Sequence, residues 1–325
     1  MAKTNAMFEV IQADLEVLES RLMRDVTADS AIVTSVGRHI LESGGKRLRP
    51  ALCILSARGG QNFDLERVLP IAECLELLHT ASLMHDDVID EADTRRGAIT
   101  ANAKWGNQIA ILTGDFIFAK AFSLVATKEY DSYIISRLVN LVCDLSVGEI
   151  DQDESVYQAV TDEADYYSRI QKKTADFLEV CAEVGALIGG MSREEARRMA
   201  AYGHAIGMAF QVTDDLLDVL QTSEQIGKPV GNDIRQGIVT LPLIRAMAVS
   251  PDAAELRNIV TNPEMTDDDV QRALDIVLAT DGVDVAKAKA DQYLDEARQA
   301  LPDSLTQEIY DSFIEVADFI GERDF

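Results

Sequence analysis

No proline stands between Pro70 and Pro229, and Ala, Leu, Glu, Asp and Arg dominate that span. Proline alone lacks a backbone N–H, so its omission over so long a stretch leaves helices free to run uninterrupted. Apolar side chains recur at helical spacing. Within 68–90, Ile71, Leu75, Leu78, Ser82 and Ile89 fall near one face, and the rhythm returns in 108–130, 164–188 and 193–219. No alternating stretch of useful length argues for a sheet. The spacing predicts an all-α fold: a single-domain bundle over 1–325, of about ten or more helices, some apolar on most sides and buried.

The first 24 residues place Val10, Ile11, Leu15, Val17, Leu18 and Leu22 at helical spacing without a basic and then apolar leader, so they read as an amphipathic helix. Uninterrupted apolar runs stay short of the ~18 residues that cross a bilayer, and a soluble, cytoplasmic chain without a transmembrane segment is expected. Cys53, Cys74, Cys143 and Cys181 lie in apolar surroundings with no C-x-x-C spacing, as expected of reduced, buried thiols. With 56 acidic against 30 basic side chains the formal charge is −26. So negative a field repels nucleic acid, and any anionic ligand must find a local cationic site.

Two segments interrupt the helical pattern. Gly44-Gly45-Lys46-Arg47-Leu48-Arg49-Pro50 sets cations beside a flexible turn, and 221–242 carries Gly227, Pro229, Gly231, Gly237 and Pro242 among polar residues. Both read as loops, the second long enough to cover a site. The more polar tail, 250–325, is helical in pattern, with Asp267, Asp268 and Asp269 favourably placed at a helix start.

Chemistry concentrates in two copies of D-D-x-x-D: Asp86-Asp87-Val88-Ile89-Asp90 and Asp214-Asp215-Leu216-Leu217-Asp218. Residues i and i+4 share a helix face, so each copy can present two carboxylates to one point, where they repel unless a cation lies between them. Hard oxygen donors with room for water and phosphate suit Mg²⁺. A lone copy would pass for a solvated helix face; two copies flanked by Leu83, Met84, Phe210 and Val212 do not. Lys46, Arg47 and Arg49, with Arg95 and Arg96 just past the first copy, supply forks and point charges for phosphate. Carboxylates, Mg²⁺ and cations together describe a diphosphate site, with the two acidic copies gripping metals from opposite helices.

GGKRLRP at 44–50, LMHDDVIDEADTRRG at 83–97, GD at 114–115, KT at 173–174, FQVTDDLLD at 210–218 and GKPVGNDIRQG at 227–237 resemble, in order and over nearly the whole chain, the trans-isoprenyl diphosphate synthases of medium- and long-chain type. The resemblance implies the isoprenoid synthase fold, a helical bundle around a deep central cavity. It also implies condensation of isopentenyl diphosphate onto an allylic diphosphate such as farnesyl or geranylgeranyl diphosphate. By the same resemblance Asp86, Asp90 and Asp214 ligate about three Mg²⁺ ions, supported by Asp87, Asp215 and Asp218. Lys46, Arg49, His79 and Arg96 hold isopentenyl diphosphate. Arg95, Lys173, Thr174, Gln211 and Lys228 hold the allylic diphosphate, with Lys173 and Lys228 counted among the catalytic groups. Ile238 departs from the lysine the family often carries there. A homodimer is implied, a heteromer with a small subunit being the other assembly known in the family.

Ala81 and Ser82 precede Asp86 by about one turn, where a growing tail would pass, and Leu78 lies about one turn deeper. Small side chains at 81 and 82 leave that route open, with Leu78 a partial constriction. Phe118 and Phe122 are candidates for the lower walls. One isoprene unit spans roughly one helical turn, about 5 Å, so Ala81 does not stop elongation early, and the family resemblance then implies an all-trans product of about C30 to C40. Three other readings stand beside this one: a short-chain farnesyl or geranylgeranyl synthase, a metal phosphohydrolase of the HD type built on His85-Asp86 with His39 and His79, and a non-catalytic subunit of a heteromeric synthase.

Overall fold

The computed structural model describes residues 7–220 and 231–322. They are almost entirely helical: α1 (Gln12–Asp25), α2 (Ala31–Glu42), α3 (Leu48–Arg58), α4 (Leu65–Ile89), a two-stranded hairpin of β1 (Thr94–Arg95) and β2 (Ala98–Ile99), α5 (Ala101–Trp105), α6 (Asn107–Ala126), α7 (Ser132–Ser155), α8 (Glu163–Ile170), α9 (Asp176–Ile188), α10 (Arg193–Leu220), α11 (Asn232–Arg235), α12 (Leu241–Val249), α13 (Ala253–Val260), α14 (Asp267–Leu278), α15 (Gly282–Ala300) and α16 (Gln307–Gly321). The chain forms two compact units, Met1–Val142 with Val180–Met199 and Pro302–Ser312, and Cys143–Glu179 with Ala200–Leu301 and Phe313–Phe325.

In the first unit α4 packs along α6 and against α1, α3 and α5. It starts where Asp64 accepts from the Glu66 N–H at 3.1 Å, and it buries Leu69, Ile71, Leu75, Leu77, Leu78, Ala81 and Met84. Ile89, grouped by spacing with that face, is exposed near the helix end, where the core stops. Gly185 lets α9 approach α3 closely: a Cβ there would come within 2.2 Å of the Cys53 carbonyl oxygen. In the second unit a core of Tyr166, Met208, Val212, Leu216, Leu241, Leu243, Ile244 and Leu274 joins α8, α10, α12 and α14.

Several sequence expectations are corrected. The stretch 164–188 is not one helix: a π-helical turn, Gln171–Ala175, separates α8 from α9, because an inserted residue widens the turn without disturbing apolar spacing. The 44–50 loop ends early, since Arg47 takes a left-handed conformation (φ 49°) and α3 begins at Leu48. Within 231–242 the chain forms α11 and enters α12, while 221–230 lies outside the described residues. Cys53, Cys74 and Cys181 are buried but Cys143 is exposed, its flanking apolar residues facing elsewhere on α7. Among the described residues α6 is long and apolar enough to cross a membrane, since Asp115 and Lys120 are its only charged side chains.

Glu73 of α4 is fully buried beside Arg21 and Asp25 of α1. Burial pushes its carboxyl up to about 7, with Asp25 adding and Arg21 opposing. A carboxyl that binds its proton more tightly in the fold contributes stability that is complete below its ordinary value of 4.5 and lost as pH rises through about 7. Glu73→Gln should therefore raise the melting temperature over the parent by a few degrees at about pH 8 and lose that advantage near pH 4.5, as read by calorimetry. An offset independent of pH would refute the assignment.

Candidate active site

In the first unit the acidic motif closes α4. Successive helical residues point about 100° apart, so Asp86 and Asp87 cannot share a direction. Asp87 turns inward, 2% exposed, and accepts from Arg95 Nε at 2.5 Å; burial raises its pKa while Arg95 holds it down. Asp86 is half-buried, and Asp90, the residue capping the helix, is exposed. Arg95 and Arg96 stand on the hairpin, Arg96 in a left-handed turn followed by Gly97 at φ 78°.

The Arg96 guanidinium donates to the Gly44 carbonyl oxygen. It lies so close to Gly45 that a Cβ there would be 2.7 Å from its nitrogen, which is why the glycine pair precedes the cations. Arg49 Nη1 lies 3.1 Å from His79 Nε2. Arginine only donates, so that imidazole nitrogen accepts and the ring is neutral with its proton on Nδ1. Burial, followed by the charges of Arg49, Arg96, Arg95 and Arg47, holds His79 well below its ordinary pKa. Lys46 is exposed on the turn before α3. Arg47 is instead a brace, donating to Glu19 at 2.5 Å, to buried Glu76 at 2.7 Å and to the Leu41 carbonyl at 3.0 Å.

Ala81 and Leu78 are fully buried, and Ser82 donates to the His79 carbonyl at 2.9 Å. His85 is held away from the acidic face: its Nε2 lies 3.1 Å from the Ile111 carbonyl and 3.6 Å from Asp115, and its ring rests against Phe118 at 5.5 Å. The glycine of the 114–115 pair makes this possible, because a Cβ at Gly114 would meet the imidazole at 2.3 Å.

In the second unit the same division of labour appears on α10. Asp215 points inward and is 5% exposed, Asp214 is exposed, and Asp218 is half-buried. Tyr166 donates to Asp215 Oδ2 at 2.7 Å, Gln211 Nε2 donates to Oδ1 at 2.9 Å, and Thr174 Oγ1 donates to Gln211 Oε1 at 3.1 Å. Burial nonetheless lifts Asp215 to about 6. Asp218 accepts the backbone N–H groups of Asn232 and Asp233 at 3.0 and 2.9 Å, so it secures the start of α11. Lys173, carried on the π-helical turn, donates to Gln152 at 2.9 Å and lies 3.7 Å from Glu149. A cavity of about 60 Å³ is lined by Gln152, Lys173, Gln211, Asp215, Asp233 and Ile238.

The structure thus gathers Arg49, His79 and Arg96 in one unit and Lys173, Thr174, Gln211 and Asp215 in the other. Lys228 lies outside the described residues. Sequence reasoning missed Tyr166, Arg169 and Asp233. Asp233 stood within GKPVGNDIRQG, and burial with neighbouring Asp215, Asp218 and Asp214 raises its pKa well above the ordinary value. Tyr166 and Arg169 carry no signal in spacing alone. The more accessible carboxylates, Asp86 and Asp90 in the first unit and Asp214 in the second, offer hard oxygen donors, the donor type that suits Mg²⁺.

Comparison with known proteins identifies the family. The polyprenyl synthetase family model matches residues 30–277. Heptaprenyl diphosphate synthase component 2 of Geobacillus stearothermophilus is 37% identical over 325 residues, spanning 99% of this chain and 100% of the relative. The crystal structure of heptaprenyl diphosphate synthase from Staphylococcus aureus superposes with a TM-score of 0.89 at 31% identity, covering 97% of this chain and 99% of that one. Polyprenyl synthase from Caulobacter crescentus, complexed with calcium and isoprenyl diphosphate, gives 0.91 at 29% identity over 99% and 98%. Fold and motifs together define a prenyltransferase of the all-α isoprenoid synthase fold. The chain belongs to the polyprenyl synthetase family.

A neutral His79 should show no titration from about pH 6 to 9 in the carbon and nitrogen shifts of its imidazole. A midpoint near 6.5 would contradict its buried, arginine-facing environment.

Proposed function

We propose that this chain, as a single catalytic domain in the cytoplasm, extends an allylic diphosphate, farnesyl or geranylgeranyl, with isopentenyl diphosphate to an all-trans product of about C30 to C40. The observation that carries the reading is shared by both D-D-x-x-D motifs: the second aspartate is buried and bonded, and the first is more accessible. Asp86, Asp90 and Asp214 would hold Mg²⁺ with the allylic diphosphate. Bound there, Mg²⁺ neutralises the diphosphate and acts as a Lewis acid toward its oxygens.

The other groups bind and orient. Lys46, Arg49, Arg96 and neutral His79 hold isopentenyl diphosphate with donors only, since an acceptor would repel it. Arg95, Lys173, Thr174, Gln211 and Lys228 take the allylic diphosphate, where fixed positive charge favours departure of the anion from the allylic carbon. Apolar walls keep water from the resulting allylic cation while the double bond of isopentenyl diphosphate attacks it. The proton then leaves to the departing diphosphate. Ala81 is buried on α4, with Ser82 beside it and Leu78 one turn deeper, and its small side chain would obstruct a tail passing along the helix less than a bulky one.

Two copies of the chain as a homodimer are the assembly proposed. The words "component 2" in the name of the Geobacillus relative support a second reading, in which a small partner subunit completes the enzyme. Incubation with Mg²⁺, labelled isopentenyl diphosphate and primers of increasing length, followed by sizing of products, tests both. Ala81→Tyr should shorten the product, and an unchanged length would remove the route along α4. Asp86→Asn or Asp214→Asn should cut turnover by about 10²-fold or more. Near-normal turnover in either would overturn the metal assignment. A chain inert alone but active with a second protein would establish the heteromer.

A further inference from the structure

Tyr166 is the buried polar group that the roles above leave without a purpose. Its ring lies in the core of the second unit, and a hydroxyl there requires a partner. That partner is Asp215, whose other oxygen is taken by Gln211, itself oriented by Thr174. Each oxygen of a buried carboxylate therefore has a neutral donor, one from α8 and one from α10 itself, and the π-helical turn supplies the hydroxyl that orients Gln211. One turn along α8, Arg169 donates to the Val239 carbonyl at 2.6 Å, and its guanidinium carbon lies 5.6 Å from the Tyr166 ring. Asp214, next to Asp215 on α10, is exposed.

We propose that Tyr166 is a positioning residue for the second acidic motif: by holding Asp215 it fixes the rotation of the α10 turn that offers Asp214 to a metal-bound allylic diphosphate. Without the hydroxyl, Asp215 Oδ2 is a buried acceptor lacking its donor. The turn must then rotate toward water or the carboxyl must take a proton, and either response changes what its neighbour presents. A phenylalanine at 166 retains the ring, so packing and positioning are separable. This inference rests on the assignment of Asp214 to the metal–diphosphate.

The test measures binding by the full-length chain of farnesyl thiodiphosphate, whose bridging sulfur resists ionisation, over a Mg²⁺ titration by calorimetry, with isopentenyl diphosphate binding and melting temperature recorded alongside. Tyr166→Phe should weaken thiodiphosphate binding at low Mg²⁺ by about tenfold, the scale of one hydrogen bond to a carboxylate, with partial recovery as Mg²⁺ rises. Isopentenyl diphosphate should bind as in the parent. In an Asp215→Asn background the same substitution should have little further effect, because the two residues act as one unit. Additive losses, or parent-like Mg²⁺ dependence in Tyr166→Phe while Asp214→Asn has lost binding, would overturn the inference alone. Parent-like binding in Asp214→Asn would overturn the metal assignment and the inference with it. Should Tyr166→Phe not fold, Tyr166→Met, which also removes the hydroxyl and keeps an apolar side chain in the core, must show the same loss.

Discussion

A carboxylate inside a helical core must be given donors, and that requirement organises both acidic motifs. Desolvation makes an unpartnered buried charge costly, so the inward aspartate of each motif, and several other buried carboxylates, meet a specific group. Asp87 has Arg95, Asp215 has Tyr166 and Gln211, Glu76 has Arg47, and Asp14 has Arg58. In each D-D-x-x-D the second aspartate takes this inward role. Helical geometry then turns the first one, about 100° away, to a more accessible position, half-buried for Asp86 and exposed for Asp214. Each motif thus joins a buried, bonded aspartate to a more accessible neighbour.

The same economy explains the cations. In a chain of formal charge −26, the arginines around the acidic motifs have separate tasks. Arg47 is used internally, bridging α1 and α4 through Glu19 and Glu76. Arg49 and Arg96 suffer burial that lowers their pKa, and they in turn keep His79 unprotonated. A neutral imidazole that accepts from Arg49 on one nitrogen leaves its other nitrogen as a donor, the polarity a diphosphate needs. Arg169 binds a backbone carbonyl at Val239, so it secures chain in the second unit and not a ligand.

Much of the molecule was legible in its residues. Helical class followed from the missing prolines and the apolar rhythm. The acidic motifs were visible because their spacing matches the helical repeat, and the glycine pair at 44–45 stood beside cations for a reason the Gly45 to Arg96 approach makes plain. Other features left no trace. The π-helical turn bearing Lys173 has ordinary helical spacing on both sides. Asp218 looks like a metal ligand in the motif, yet it accepts two N–H groups at the start of α11. Tyr166 on an apolar face is indistinguishable from core packing until Asp215 is seen opposite its hydroxyl.

By itself the sequence determined what depends on neighbours along the chain: helix or loop, which faces are apolar, and which carboxylates share a helical face. Only the tertiary structure decided which of those carboxylates turn inward and what they meet. Burial and donor geometry are set by segments far apart in sequence, such as Tyr166 with Asp215 or Arg49 with His79. Desolvation, the quantity that separates an anchor from a presented ligand, does not exist until those segments pack.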